Sequence, residues 1–234
     1  MNPSQPRLPS RIPPQASACL AAIAAAGLGR AISLGGGLGL LHYLDYRATH
    51  DAEAWWTEEA TADDRRRVIT ILEGTLQQFG AVRTRTWGEV VSIELREEGP
   101  RVFSFQIAER SALLEPTVPA PSGEILLDSF VDIVASKMVA LVERGAPRDF
   151  RDIHAVCQAG MIGPRECWVL WERRQTAAGS DVDRRRARLA IETHLARIGQ
   201  HRRLEQIAEP GAREAAERIR AWFSTEFLDA LDQP

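Results

Sequence analysis

Two acids spaced two apart, Asp51 and Glu53, follow three consecutive glycines, Gly35, Gly36 and Gly37, within SLGGGLGLLHYLDYRATHDAEAWW (33–56). Residues 46–54 alternate as a strand does. That puts Arg47, Thr49, Asp51 and Glu53 on one face and Tyr46, Ala48, His50, Ala52 and Ala54 on the other. Two carboxylates this close repel unless a proton or a cation lies between them. Carboxylates are hard ligands, and Mg2+ suits a site with few of them because it keeps positions open for water and substrate phosphates. Glycines let backbone N–H groups approach a phosphate closely, and a helix that follows offers its positive end. Glycines and then acids at this distance describe a metal–nucleotide site whose chemistry is in-line transfer. Taken singly, each feature has a plainer reading: a flexible turn, and a solvated strand face.

The distant half adds charge. Lys137 lies in a helical pattern among Ile133, Val134, Ala140 and Leu141. A buried ammonium is costly without a partner, and this one would serve triphosphate oxygens as a point charge. Its plainer reading is a lysine that snorkels to the surface. Asp149 and Asp152, three apart, share a helix face, with Arg148 and Arg151 beside them. Alone they read as helix-start acids and ion pairs.

These groups need elements to position them. Pro-rich residues 1–15 read as a flexible lead. A helix over 16–28 ends at Gly27 and Gly29. An extended run at 30–34 enters the glycines, and a short helix over 38–45 leaves them. Residues 61–80 read as a helix with Thr61 and Asp64 as a capping box, a stripe of Val68, Leu72, Leu76 and Phe79, and Gly80 at the end. Strands follow at 81–87 and 89–96 around a turn at Gly88. EEGP leads into a third strand at 101–108, with Phe103, Phe105 and Ile107 on one face and Ser104 and Gln106 on the other. Residues 110–127 read as irregular. Ser129 and Asp132 cap a helix that breaks at Gly145 and Pro147, and another runs through Asp149 and Asp152 to Gly160. Stretches 166–175, 181–204 and 213–232 are helical. The order is α+β: an α/β domain over 16–125, then a helical region over 126–234 that supplies Lys137 and Asp152.

The 234 residues carry 29 basic and 32 acidic side chains, with pI near 6.0. Nothing global in that balance indicates nucleic-acid binding, although local clusters remain, such as Arg184–Arg186 with Arg188. That run reads as a solvated helix face or an RNA-backbone contact. Trp55 and Trp56 read as core or rim packing. Three cysteines without a CxxC pair argue against a zinc knuckle or a disulfide framework and for a reducing, cytoplasmic setting. Cys157 and Cys167 read as isolated buried residues. The Ala-rich run before the glycines is broken by Gly27, Gly29 and Arg30, too short for a membrane span.

The glycine run, RATHDAE (47–53) and SKMVALVERGAPRDFRDI (136–153) together resemble the AbiEii/AbiGii-type toxin nucleotidyltransferases. Those proteins carry a Gly-Gly-Ser/Thr turn, an Arg-x-Thr/Ser-x-Asp-x-Asp strand, a Lys-bearing helix and a later Arg-Asp segment. The resemblance implies a polymerase-beta-like nucleotidyltransferase domain with a mixed or antiparallel sheet. It implies metal-dependent transfer of a nucleotide from an NTP to an RNA, such as tRNA, or to a protein acceptor, and a cognate antitoxin as partner. By motif position Asp51 and Glu53 hold Mg2+, Lys137 contacts the triphosphate, and Asp152 assists the acceptor or orients Lys137. Gly35, Gly36 and Gly37 cradle phosphate, Arg47 and Thr49 support the strand face, and Asp149 belongs to the nucleotide site. Three departures stand out. Gly37 replaces a hydroxyl residue, Glu53 replaces the second Asp, and the third strand offers Gln106 where a third acid is expected. They leave a second reading open: a degenerate domain of this fold that binds a nucleotide or partner without turnover.

Overall fold

The computed structural model describes residues 5–96 and 101–231, so the expected EEGP connection lies outside the described residues. The chain divides into two compact units, Met1–Ile133 and Val134–Pro234.

The first unit is built on a seven-stranded sheet, in the order β3-β4-β5-β2-β1-β7-β6. Its strands are β1 (Ile32–Gly35), β2 (Asp51–Trp56), β3 (Ala81–Trp87), β4 (Val90–Arg96), β5 (Arg101–Ala108), β6 (Val118–Pro119) and β7 (Leu126–Leu127). The sheet is mixed: β2 is antiparallel to β1 and parallel to β5, while β4 is antiparallel to both β3 and β5. One face is apolar and buried, with Ala52, Ala54, Trp56, Ile93, Leu95, Phe103, Phe105 and Ile107. Helix α1 (Pro14–Ala25) packs on α3 (Ala62–Gln77), and α3 lies along β3 and β4. The α3 stripe buries Val68, Leu72 and Leu76, and its N-terminus closes the Thr61–Asp64 capping box. Phe79, expected on that stripe, is exposed because the helix ends at Gln77, before it could turn the ring inward.

Three further expectations change. The strand expected over 46–54 begins only at Asp51. The Thr49 hydroxyl bridges to the Asp51 backbone, donating to its carbonyl at 3.2 Å, and this local bond replaces a ladder pairing. Helix α2 (Gly36–Leu41) starts two residues earlier than expected, inside the glycine run. Residues 110–127, read as irregular, supply β6 and β7. β7 extends the sheet parallel to β1, and the Asp128 N–H then reaches the Leu34 carbonyl at 2.9 Å.

The second unit is helical. After α4 (Phe130–Glu143) come α5 (Pro147–Gln158), α6 (Pro164–Ala177), α7 (Arg184–His201) and α8 (Pro210–Trp222), which runs on into a π-helical turn, Phe223–Phe227. The aromatic core joins Phe150, Trp168, Trp222, Phe223 and Phe227, and the Trp168 indole N–H donates to the Phe227 carbonyl at 3.0 Å. Cys157 and Cys167 are not isolated: their sulfurs lie 3.7 Å apart, between α5 and α6.

Candidate active site

Strand β2 alternates half-buried and buried, so Asp51 and Glu53 face one way while Ala52, Ala54 and Trp56 enter the core. Glu53 stands directly opposite Gly35 in the antiparallel pairing with β1. Its carboxylate lies against Gly36: a Cβ placed there would meet Glu53 Oε2 at 1.9 Å. Gly36 also has φ +58, so both the turn and the carboxylate demand glycine. Gly35 is confined in the same way, with Trp55 Nε1 and Asp128 Oδ2 each under 3 Å from a Cβ added to it, at 2.7 and 2.8 Å. At Gly37 the space is taken by the guanidinium of Arg47, 2.9 Å from where a Cβ would stand. Arg47 and Thr49 therefore flank the glycine turn from a loop rather than from the strand.

The neighbouring strand answers each acid with a neutral group. Asp51 is paired with Ser104 and Glu53 with Gln106 in the parallel ladder to β5. The Ser104 hydroxyl donates to Asp51 Oδ1 at 2.8 Å, and Arg101 lies 3.7 Å from the same oxygen. One strand further, Glu94 is opposite Ser104. It accepts from Arg96 at 2.9 Å, with Arg85 at 3.7 Å, and the Arg96 bond holds its carboxyl below the ordinary range.

In the second unit Lys137 and Asp152 form an ion pair at 2.8 Å, with side chains 6% and 0% exposed. The apolar neighbours in the sequence signal the burial, and the acid that offsets it comes from the next helix. Asp149 is occupied otherwise. It accepts two bonds from Arg144, at 2.9 and 3.0 Å, and one from the Ala146 N–H at 3.2 Å, which caps α5.

A profile of the family described as nucleotidyl transferase AbiEii toxin, type IV TA system, matches residues 18–232. The chain belongs to this AbiEii family. Among solved structures, an H. pylori protein assigned as a nucleotidyltransferase superposes with a TM-score of 0.53 at 15% identity, covering 94% of this chain and 96% of that one. An antigenic nucleotidyltransferase-like protein from Paracoccidioides brasiliensis aligns at TM-score 0.38 and 14% identity over 87% of this chain and 91% of that one, too low to bear on the fold. No curated protein matches at a significant level. The AbiEii chain thus has a nucleotidyltransferase fold.

One cluster had no signal in the sequence. Asp128, at the end of β7, is buried and accepts from Ser33 at 2.8 Å and from Arg110, whose guanidinium also reaches Ser33 at 2.6 Å and lies over the Trp55 ring. Burial pushes the Asp128 carboxyl up, and Arg110 and Ser33 pull it back. This network braces the floor of the Gly35 turn. Its parts are 77 and 95 residues from Ser33, so only the tertiary fold brings them together. Among the described residues no helix is long and apolar enough to cross a membrane.

Proposed function

We propose that this AbiEii-family protein is a nucleotidyltransferase: it moves a nucleotide from an NTP to an acceptor hydroxyl, with RNA as the favoured acceptor and a protein as the alternative, and an antitoxin as its partner in the cell. The observation that carries this reading is that Asp51 and Glu53 share one face of β2, with the Glu53 carboxylate closed against a glycine turn that tolerates no side chain at Gly36. The donor set suits Mg2+, which needs few carboxylates and leaves the rest of its sphere to water and phosphate oxygens. When bound, Mg2+ would neutralise the triphosphate and polarise the reacting phosphorus.

The chain's own residues divide the remaining work. Asp51 and Glu53 would hold the ion, and the Ser104 hydroxyl, donating to Asp51 Oδ1, would keep that carboxylate in place. Gly35 and Gly36 let the backbone approach phosphate. The family resemblance gives Lys137 the triphosphate, and the Asp152 ion pair is what would fix that ammonium's direction. The acceptor hydroxyl attacks the α-phosphorus and gives up its proton to water, the bond from that phosphorus to the oxygen bridging to the β-phosphate breaks, and pyrophosphate leaves. Asp149, held by Arg144 and the α5 cap, supports α5 rather than the nucleotide.

Incubating the protein with labelled NTPs, Mg2+ and either total tRNA or the protein itself should give a labelled product, and Asp51→Ala should abolish it. A second reading rests on the neutral Ser104 and Gln106 beside the acids, where the family resemblance leads one to expect a third carboxylate. It predicts calorimetric NTP binding with no labelled product under any divalent metal. That result would overturn the enzyme reading.

A further inference from the structure

β3 is the outer strand on its side of the sheet, and nearly all its residues are exposed. Its side chains connect to the acids through the ladder. Arg83 is paired with Glu94, Glu94 with Ser104, and Ser104 with Asp51. A second row runs Arg85, Ser92, Gln106, Glu53, and a third runs Trp87, Val90, Ala108, Trp55. Residues paired across a ladder share a face, so Arg83, Arg85 and Trp87 stand on the acid-bearing face. The other face is the apolar core.

The composition of that face is one-sided. Among the described residues, Arg85 and Arg96 both ion-pair with Glu94, Arg101 lies beside Asp51, and Arg83, paired with Glu94 in the ladder, adds a fourth guanidinium. Arg83 has no hydrogen-bond or ion-pair partner among the described residues, and Trp87 is 50% exposed. Charge alone would suit a sheet edge that is merely blunted against self-association. An exposed indole in line with the arginines does not, because it invites contact. Three strand spacings put this edge about 14 Å from Asp51. Phosphates bound to an ion on Asp51 stay within a few ångströms of it, so the edge lies beyond the reach of the NTP's triphosphate.

We infer that Arg83, Arg85 and Trp87 form the acceptor track, on which guanidinium groups bind the phosphates of a single-stranded RNA and Trp87 stacks one base, leading its end along the sheet face to Asp51 and Glu53. This rests on the nucleotidyltransferase reading for its purpose but not for its binding. Guanidinium forks match phosphate oxygens, and a stacking ring accepts any base.

The test uses the full chain and a fluorescein-labelled single-stranded oligoribonucleotide of mixed sequence, without NTP or metal, read by anisotropy over a salt series. Wild type should bind, with affinity falling as salt rises. R83E/R85E should bind at least about tenfold more weakly, with the log–log salt slope reduced by about 1.4, two phosphate contacts' worth for a single strand. Trp87→Ala should weaken binding about tenfold with the slope unchanged. Circular dichroism checks that the variants fold, and R83Q/R85Q, which removes charge without reversing it, gives the reading if the double glutamate does not. Asp51→Ala should keep RNA binding while losing transfer. RNA binding without transfer in wild type would retain the track and remove the enzyme. Absence of RNA binding, full binding by R83E/R85E and Trp87→Ala, or binding of polyglutamate in place of RNA would overturn the track, the last in favour of an acidic protein partner.

Discussion

Gly36 and Gly37 are adjacent and chemically identical, yet their surroundings differ. Gly36 sits at positive φ with the Glu53 carboxylate in the space of a Cβ. Gly37 lies inside α2, and only the far end of the Arg47 side chain would need to move. A left-handed conformation costs a residue with a Cβ about 1–2 kcal/mol, before any displacement of Glu53. Alanine in a helix is about 1 kcal/mol better than glycine, which offsets a shifted arginine. Gly36→Ala should therefore lower the thermal midpoint clearly and abolish labelled transfer, while Gly37→Ala should leave the midpoint nearly unchanged. Equal midpoints in a melting experiment would show that the turn does not impose the constraint assigned to it.

Between elements, the Lys137–Asp152 pair ties α4 to α5 through two buried charges. Removing one partner of a buried pair costs about 3–5 kcal/mol, because the other charge is left unpaired, whereas replacing both with apolar groups is often neutral. Asp152→Asn should destabilise the protein by about that amount in denaturant unfolding. K137M/D152L should recover most of it and still give no labelled product. Recovery of transfer in the double variant would remove Lys137 from the chemistry. The same elements show what the sequence could disclose. Alternation placed Asp51 and Glu53 on one face because the chain is a strand from Asp51 onward, and successive side chains of a strand point to opposite faces. Thr61 with Asp64, and Gly88 between two β-rich runs, are local signals and formed as read. β7 was not legible, because two residues carry no periodicity and only the vacant side of β1 makes them a strand. The loop at 46–50 imitated a strand by alternating, but Thr49 satisfied the backbone locally instead. The approach of Cys157 to Cys167 depends on how α5 and α6 pack, which no spacing in one chain encodes.

Over the whole molecule the charges nearly cancel, at −3, so the pH dependence of stability is set by particular groups rather than by net repulsion. Glu94 is one of them. The Arg96 hydrogen bond, followed by the charges of Arg85, Arg96 and Arg101, holds its folded-state pKa below the ordinary glutamate value of 4.5. A carboxyl whose pKa is depressed on folding contributes stability that is complete above its unfolded value and is lost as the pH falls through the folded one. Burial pushes the Asp128 carboxyl the other way, so its contribution is present below the ordinary aspartate value of 3.8 and lost as pH rises through the raised one. Glu94→Gln isolates the first effect, since it keeps the shape and removes the charge. The variant should be less stable than wild type at neutral pH, and the difference in unfolding free energy should shrink as the pH drops below 4.5 and the wild-type carboxyl takes up its proton. Urea titrations from neutral to acid pH read this directly. A constant difference across the range would mean that Glu94 acts through packing alone, and that the arginines around it are not held by its charge on the face shared with Asp51.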